Sequence, residues 1–263
     1  MWRATRTPEG PATQRFAQHG DTVTVRAWGS GAAWSVEHAP ILLGEADNTD
    51  DFRPTDERLA RLHRTNPGLR FCRSEAVFDA LLPAVLEQKV TGKEAFTSYQ
   101  LLQRRFGEAA PAPTEAPLML LPPHPSSVAD TPSHVFHACN VERKRSETIR
   151  AAASYAHRLE ASLTLPLTDA YARLSTLPGV GVWTIAEIGA VAYGDADAVS
   201  VGDYHLKNVV THFFTGAPRG TDEQMLELLE PYRPHRGRVV RLIGRSGITP
   251  PKYGPRMTIQ QRW

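Results

Sequence analysis

Cysteine is scarce in this sequence: two residues in 263, Cys72 and Cys139. That inventory is too small for a four-thiolate iron–sulfur cluster or a cysteine-built zinc site. The pair reads instead as two reduced core thiols of a cytoplasmic protein. No apolar run approaches the length of a membrane span, so no membrane role is expected. A basic and apolar leader is also missing, and export is not expected. Acid is absent from one long stretch: Pro231 to Trp263 holds eight Lys or Arg residues and no Asp or Glu. The net charge is nevertheless only +2, with acids gathered at Glu45, Asp47, Asp50, Asp51 and Asp56. This asymmetry marks either a nucleic-acid face or a solvated basic tail.

What is present suffices for a core, since 41% of the residues are apolar. The length suits one large domain, or a large and a small one. Residues 1–70 stand apart. Ala12 to Gln18 and Thr22 to Trp28 alternate or are β-branched, and His19-Gly20-Asp21 separates them like a hairpin turn. Gly31 to Leu43 reads as a helix interrupted near its end by Pro40. A small β-sheet with a packed helix is expected here.

From Phe71 the pattern is helical. Ser74 is placed to cap a helix that runs through Val77, Phe78, Leu81, Leu82 and Val85, with Pro83 inside it. A second helix carries Tyr99, Leu101, Leu102 and Phe106 and closes at Gly107. Pro111 to Pro125 is a proline-broken loop, followed by a helix near Pro132 to Ala138. His134, His137 and Cys139 have ligand chemistry, yet no acidic partner lies nearby to complete a metal site. Val141 to Leu159 reads as a basic amphipathic helix with Ile149, Ala152, Ala153, Ala156 and Leu159 on one side. Thr168 is placed to cap Asp169 to Thr176.

The densest signal lies between Leu177 and Val209. Leu177-Pro178-Gly179-Val180-Gly181 is a hairpin motif in which Pro178 fixes its own φ, and both glycines are read as supplying conformations that side chains resist. Val182 to Tyr193 continues as a helix, with Ile185, Ile188, Gly189 and Ala192 at helical spacing. Backbone N–H groups at such a helix start form a phosphate cradle that positions nucleic acid without reading its sequence. A structural turn between packed helices has the same motif. About twenty residues on comes Val201-Gly202-Asp203-Tyr204-His205 ahead of another helix, where Asp203 suits N-capping as well as chemistry.

Together, the hairpin, the aromatic Trp183 two residues past its last glycine, and the Asp203-Tyr204 pair resemble the helix-hairpin-helix DNA glycosylase superfamily. Within it they resemble the 3-methyladenine DNA glycosylase II group, over roughly Phe71 to Gly254. The resemblance implies a mostly α fold: a helix-hairpin-helix glycosylase body over 71–263 behind a small N-terminal α/β domain over 1–70. It implies double-stranded DNA bearing damaged bases as the partner, with Gly179, Val180 and Gly181 gripping the backbone. Asp203 becomes the catalytic residue, a carboxylate that stabilises positive charge on the sugar and orients or deprotonates water. No cofactor is implied beyond an optional Na+ or K+ ion held by the main-chain carbonyls of Ser175, Leu177 and Val180. Carbonyl ligation of that kind leaves no side-chain signature.

The same resemblance places a gap-filling side chain at the junction of two helices near Gln88 and Lys89. The family position falls on Lys89, an unusual plug. Either Gln88 or another loop residue takes the role, or Lys89 fills the gap with its alkyl stem. Relatives that also cut the strand carry a lysine two residues after the hairpin, which forms a Schiff base. Trp183 stands there, and an indole forms no imine, so water is the expected nucleophile and an abasic site the product. The base pocket would draw on Trp183 and Tyr204, while Glu187 and Arg241 replace aromatic residues of the family. The expectation is a monomeric base-excision repair enzyme, cytoplasmic and nucleoid-associated on DNA, that hydrolyses the N-glycosidic bond of flipped alkylated purines. The alternatives are a helix-hairpin-helix DNA-binding protein without catalysis, in which Asp203 only caps a helix, and a bifunctional oxidised-base glycosylase, which Trp183 argues against.

Overall fold

The computed structural model describes residues 1–251. The last part of the acid-free segment and the end of the resembling stretch at Gly254 lie outside the described residues. The protein is mainly helical, with one small antiparallel sheet at its N-terminus.

The sheet has strands β1 (Trp2–Thr7), β2 (Gly10–His19) and β3 (Thr22–Trp28) in the order β1-β2-β3. Two of these are the strands read from alternation. The first is an addition, because Trp2–Thr7 carries no β-branched apolar residue to announce it. It pairs across β2 through Thr5↔Ala12 and its neighbours. The helix expected over 31–43 is two short ones, α1 (Ala32–Glu37) and α2 (Ala39–Leu42). Pro40 lies in the first turn of α2, where its missing N–H costs nothing, so the chain restarts a helix rather than continuing one. Helix α3 (Glu57–Thr65) is capped by Asp56, whose carboxylate accepts from the N–H groups of Arg58 and Leu59.

Helix α4 (Val77–Leu86) keeps Pro83 inside it, as expected, but Ser74 is not its cap. The Glu160 carboxylate accepts from the backbone N–H of Val77 at 2.9 Å and of Phe78 at 2.8 Å. This cap comes from a distant part of the chain, so no local pattern announces it. Helix α5 (Gly92–Phe106) opens on a reciprocal Thr91–Glu94 capping box and ends at Gly107. After the proline-broken loop come α6 (Pro125–Ala129) and α7 (Ser133–His137). The basic amphipathic helix divides at Tyr155 into α8 (Arg143–Ser154) and α9 (Ala156–Glu160), and all five residues of its expected apolar side are buried. Helix α10 (Leu167–Ser175) begins one residue before Thr168 with Pro166 at its N-cap, so Thr168 lies inside the first turn and does not cap. Helix α11 (Val182–Ile188) runs on through a π turn, Gly189–Tyr193. The last helices among the described residues are α12 (Leu206–Thr215), α13 (Asp222–Leu229) and α14 (Arg236–Arg245).

Two apolar clusters organise these helices. The first joins Leu81, Leu82 and Leu86 of α4, Leu102 of α5, Ile149 of α8, Leu174 of α10 and Ile185 and Ile188 of α11. It includes Leu177 and Val180, so the hairpin is anchored from beneath by its own side chains. The second joins Phe52 and Leu59 to Val210 and Phe213 of α12, Met225 and Leu229 of α13, and Val239, Leu242 and Ile243 of α14. Helix α3 therefore packs with the C-terminal helices, not with the sheet. Residues 194–203 cross from the first cluster to the second, and Val199 is buried in the latter.

Part of the charge asymmetry of the sequence is matched around this second cluster. Asp47 pairs with the fully buried Arg238, Asp51 with His235 at 2.9 Å, and Asp197 with Arg236 at 2.7 Å and with Arg233 at 3.1 Å. Arg236 and Arg238 are thus held inside by acids from elsewhere in the chain, while Arg233 pairs at the surface.

Candidate active site and nucleic-acid interface

The hairpin is built from one tight turn. The Val180 N–H donates to the Leu177 carbonyl at 3.1 Å, with Pro178 and Gly179 between them. Gly179 has a φ of +84°, the value that the third position of a type II turn demands. A Cβ there would lie 2.1 Å from the Thr148 hydroxyl of α8, so the backbone also needs glycine for its close approach to that helix. Gly181 differs from the expectation. Its φ is −104° in extended backbone, and a Cβ would meet nothing within 4 Å. Nothing inside the protein requires glycine at 181. The N–H groups that open α11 follow directly, outside the helical ladder as at any helix start.

Gln88 ties the loop between α4 and α5 to this hairpin. Its amide donates to the Gly179 carbonyl at 3.0 Å and to the Thr184 hydroxyl at 2.9 Å. The side chain is thereby occupied. Lys89 follows at the exposed tip with a φ of +57°, an uncommon left-handed value for a residue with a β-carbon. The main-chain carbonyls of Ser175, Leu177 and Val180 border the same turn. That of Leu177 already accepts the turn hydrogen bond and keeps a second lone pair.

Asp203 lies at the seam between the two clusters, half-buried, on a turn ahead of α12. Its Oδ1 accepts from the backbone N–H of His205 at 2.7 Å and of Leu206 at 2.8 Å. The capping role anticipated from the sequence is therefore real. It uses one oxygen, and among the described residues Oδ2 has no hydrogen-bond partner. Gly202, at a φ of +89°, makes the turn, and its N–H donates to Asp222 at 3.1 Å. The Asp222 carboxylate also holds Lys207 at 3.2 Å, pinning the loop to the start of α13.

One residue that the sequence gave no reason to select, Ser200, links this turn to the neighbouring helix. Its carbonyl accepts from the Asp203 N–H at 3.2 Å, and its hydroxyl donates to Glu187. The two carboxylates are thus joined through a single serine. Glu187 stands one turn beyond Trp183 on α11, and both side chains are half-buried. Partial desolvation, aided by the charge of Glu187, pushes the Glu87 carboxyl above its ordinary range. Arg241 of α14 closes the far side. Its guanidinium stacks over Phe71 at 3.7 Å from the ring centroid. Burial pulls its pKa down, against the raising influence of Cys72 and Glu187. No direct ion pair joins Arg241 to Glu187 among the described residues, and the partner of Glu187 is Ser200. Tyr204 sits apart. It is 79% exposed, edge-on to His205 at 4.9 Å, and no ring contact joins it to Trp183 among the described residues.

Behind Arg241 a cavity of about 340 Å³ runs between the sheet and the helical body, lined in part by Arg3, Cys72, Ser74, Asp79 and Tyr99. Desolvation, aided by the charge of Glu160, raises the Asp79 carboxyl to about 6. Elsewhere, His134, His137 and Cys139 assemble no metal site: no group of three His, Cys, Asp or Glu side chains suited to an ion occurs among the described residues. No helix among them is long and apolar enough to cross a membrane.

No protein-family profile and no curated protein matches the chain by sequence. Solved structures do match in three dimensions. A 3-methyladenine DNA glycosylase from Archaeoglobus fulgidus superposes with a TM-score of 0.76 at 18% identity, covering 92% of this chain and 85% of that one. An 8-oxoguanine glycosylase/lyase from Clostridium acetobutylicum, in complex with double-stranded DNA containing cytosine opposite 8-oxoguanine, gives 0.70 at 12% identity over 92% and 85%. A 3-methyladenine DNA glycosylase from Schizosaccharomyces pombe, in complex with abasic DNA, gives 0.57 at 16% over 74% and 93%. The chain has the fold of the helix-hairpin-helix DNA glycosylases.

Proposed function

We propose that this protein is a monofunctional DNA glycosylase of base-excision repair that releases alkylated purines from double-stranded DNA. The observation that carries the reading is the Asp203 turn. A half-buried carboxylate with one oxygen locked by two backbone N–H groups keeps its second oxygen for chemistry, a short way along the chain from a phosphate-gripping hairpin. Gly179, Val180 and Gly181 hold the DNA backbone, and a Na+ or K+ ion on the carbonyls of Ser175, Leu177 and Val180 would supply a positive charge toward the same phosphate. With the Gln88 amide committed to the hairpin, Lys89 at the loop tip fills the gap left by the extruded nucleotide. Trp183 stacks on the flipped base, Tyr204 flanks it from the exposed side, and Glu187 and Arg241 set its polarity.

The chemistry follows from charge. As the C1′–N bond breaks, its electron pair leaves with the base and positive charge grows on the sugar, opposite the Asp203 carboxylate. Water then bonds to C1′ and gives its proton to Asp203. The Trp183 indole forms no imine, so the strand stays intact at the abasic site. A methylated purine is already cationic and a good leaving group. The acidic surroundings of Glu187 and Glu87 favour it.

The test is release of methylated purines from duplex DNA by wild type and by Asp203→Asn. The variant should keep its fold and DNA binding and lose about a hundredfold or more in base release. Wild-type product should break only on added alkali or heat. A folded Asp203→Asn protein with near-normal release removes the assignment. Borohydride trapping of a protein–DNA adduct replaces it with the lyase reading, and binding without release leaves a non-catalytic DNA-binding protein.

A further inference from the structure

Three elements meet at Gly179, and one of them has no role in the function proposed above. The hairpin is one, and the Gln88–Lys89 loop is another. The third is the opening turn of α8. Thr148 of α8 sits directly under Gly179, where a Cβ would come within 2.1 Å of its hydroxyl. That hydroxyl donates back to the Lys144 carbonyl at 3.2 Å, so Lys144 lies one turn nearer the helix start on the same face. The same end of α8 is fixed against the Gln88 loop, because the buried Arg145 guanidinium donates to the Leu86 carbonyl at 2.6 Å.

The cations of this turn are not equivalent. Arg143 is paired with Glu147 at 2.7 Å, and Arg145 is buried and faces Glu142 at 3.5 Å. Lys144 is exposed, and its ammonium has no ion pair among the described residues. It stands beside a hairpin whose own contribution is a set of backbone dipoles with no formal charge. A duplex phosphate running past the hairpin toward α8 would meet the Lys144 ammonium there.

We propose that Lys144 is a DNA-backbone contact, and that the first turn of α8 and the hairpin form one continuous phosphate-binding ridge. The inference rests on the reading of the hairpin as a DNA grip. The ridge gives two neighbouring phosphates different partners: N–H groups at the hairpin and an ammonium at α8. A long, hydrated, flexible lysine suits a point contact that carries no base information.

The experiment is equilibrium binding of an undamaged duplex and of a duplex with an abasic site, measured from 50 to 200 mM salt, for wild type, Lys144→Gln, Lys144→Arg and Arg26→Gln. Loss of one phosphate contact lowers the magnitude of the log–log salt slope by about 0.9, or about three- to fourfold less change in affinity over that range. Lys144→Gln should show that decrease equally on both duplexes, Lys144→Arg should restore the wild-type slope, and Arg26→Gln on β3 should leave it unchanged. An unchanged slope in Lys144→Gln overturns the ridge while leaving the hairpin reading intact. An equal decrease in Arg26→Gln also overturns it, since the effect would then be one of net charge. A wild type that binds neither duplex overturns both readings together.

Discussion

Beneath the hairpin, the buried polar groups of the first cluster include the hydroxyls of Thr148 and Thr184 and the Arg145 guanidinium, which donates to a main-chain carbonyl and faces Glu142. Beneath α14, the second cluster carries the ion pairs Arg238 on Asp47 and Arg236 on Asp197, and a hydrogen bond between His235 and Asp51. The difference reflects what each cluster has to position. The first holds a backbone turn, which aliphatic side chains such as Leu177 and Val180 can seat at any charge state. The second must fix a loop, residues 45–51, that has little apolar surface of its own. Buried ion pairs give position more than net stability, because desolvation cancels much of their attraction. Asp203 stands between the two regimes, on a turn held by Asp222 from one side and by Ser200 from the other.

The sharpest way to break this contrast is Arg238→Ala. Asp47 would be left with a side chain 3% exposed and no counter-charge, a loss of about 3–5 kcal/mol in stability. Replacing both partners, Asp47→Leu with Arg238→Met, should recover most of that loss in denaturant titrations. If the double variant were as unstable as the single one, the pair would be contributing net stability and not only position.

Much of this arrangement was legible in the sequence, in places where the signal is local. Leu177-Pro178-Gly179-Val180-Gly181 encodes its turn in its own residue types, and the apolar side of α8 and α9 encodes its burial by spacing. Long-range partners left no such trace. The Glu160 cap of α4, the Ser200 bridge between Glu187 and Asp203, and the pairing of the acidic loop with the basic α14 each join residues far apart in the chain. Arg233, Arg236 and Arg238, in a stretch without acids, find theirs far along the chain at Asp197 and Asp47. Gly181 departs from its expectation: the hairpin motif predicts a conformational need that the backbone does not have.

That discrepancy gives a second test, within the hairpin itself. Gly179→Ala forces a side chain into left-handed backbone and onto Thr148, and should cost about 1–3 kcal/mol of stability. Gly181→Ala meets open space and should leave the melting temperature unchanged. Its affinity for all duplexes should nonetheless fall by a similar factor, because a methyl group there obstructs only what approaches from outside. Wild-type affinity in a stable Gly181→Ala protein would show that phosphate does not come close at this position.

The smallest expected effect lies at the seam and concerns the base itself. Glu187 shares a face of α11 with Trp183, so a base stacked on the indole lies near its carboxylate. Methylation at purine N3 or N7 makes the base cationic, whereas hypoxanthine is neutral. Opposite unit charges 4 Å apart attract by about 4 kcal/mol at an effective dielectric of 20. Glu187 is only half-buried and faces the counteracting charge of Arg241, which reduces the useful part to about 1 kcal/mol. Glu187→Gln keeps the size of the side chain and an acceptor for the Ser200 hydroxyl, so the turn that carries Asp203 should hold its geometry. Single-turnover release should then fall about fivefold on methylated duplexes, while release from hypoxanthine duplexes stays near wild type. An equal loss on both substrates would mean that Glu187 acts only through Ser200, as a brace for the catalytic turn. A larger loss on hypoxanthine would mean that the pocket prefers neutral bases, with Arg241 rather than Glu187 setting its polarity.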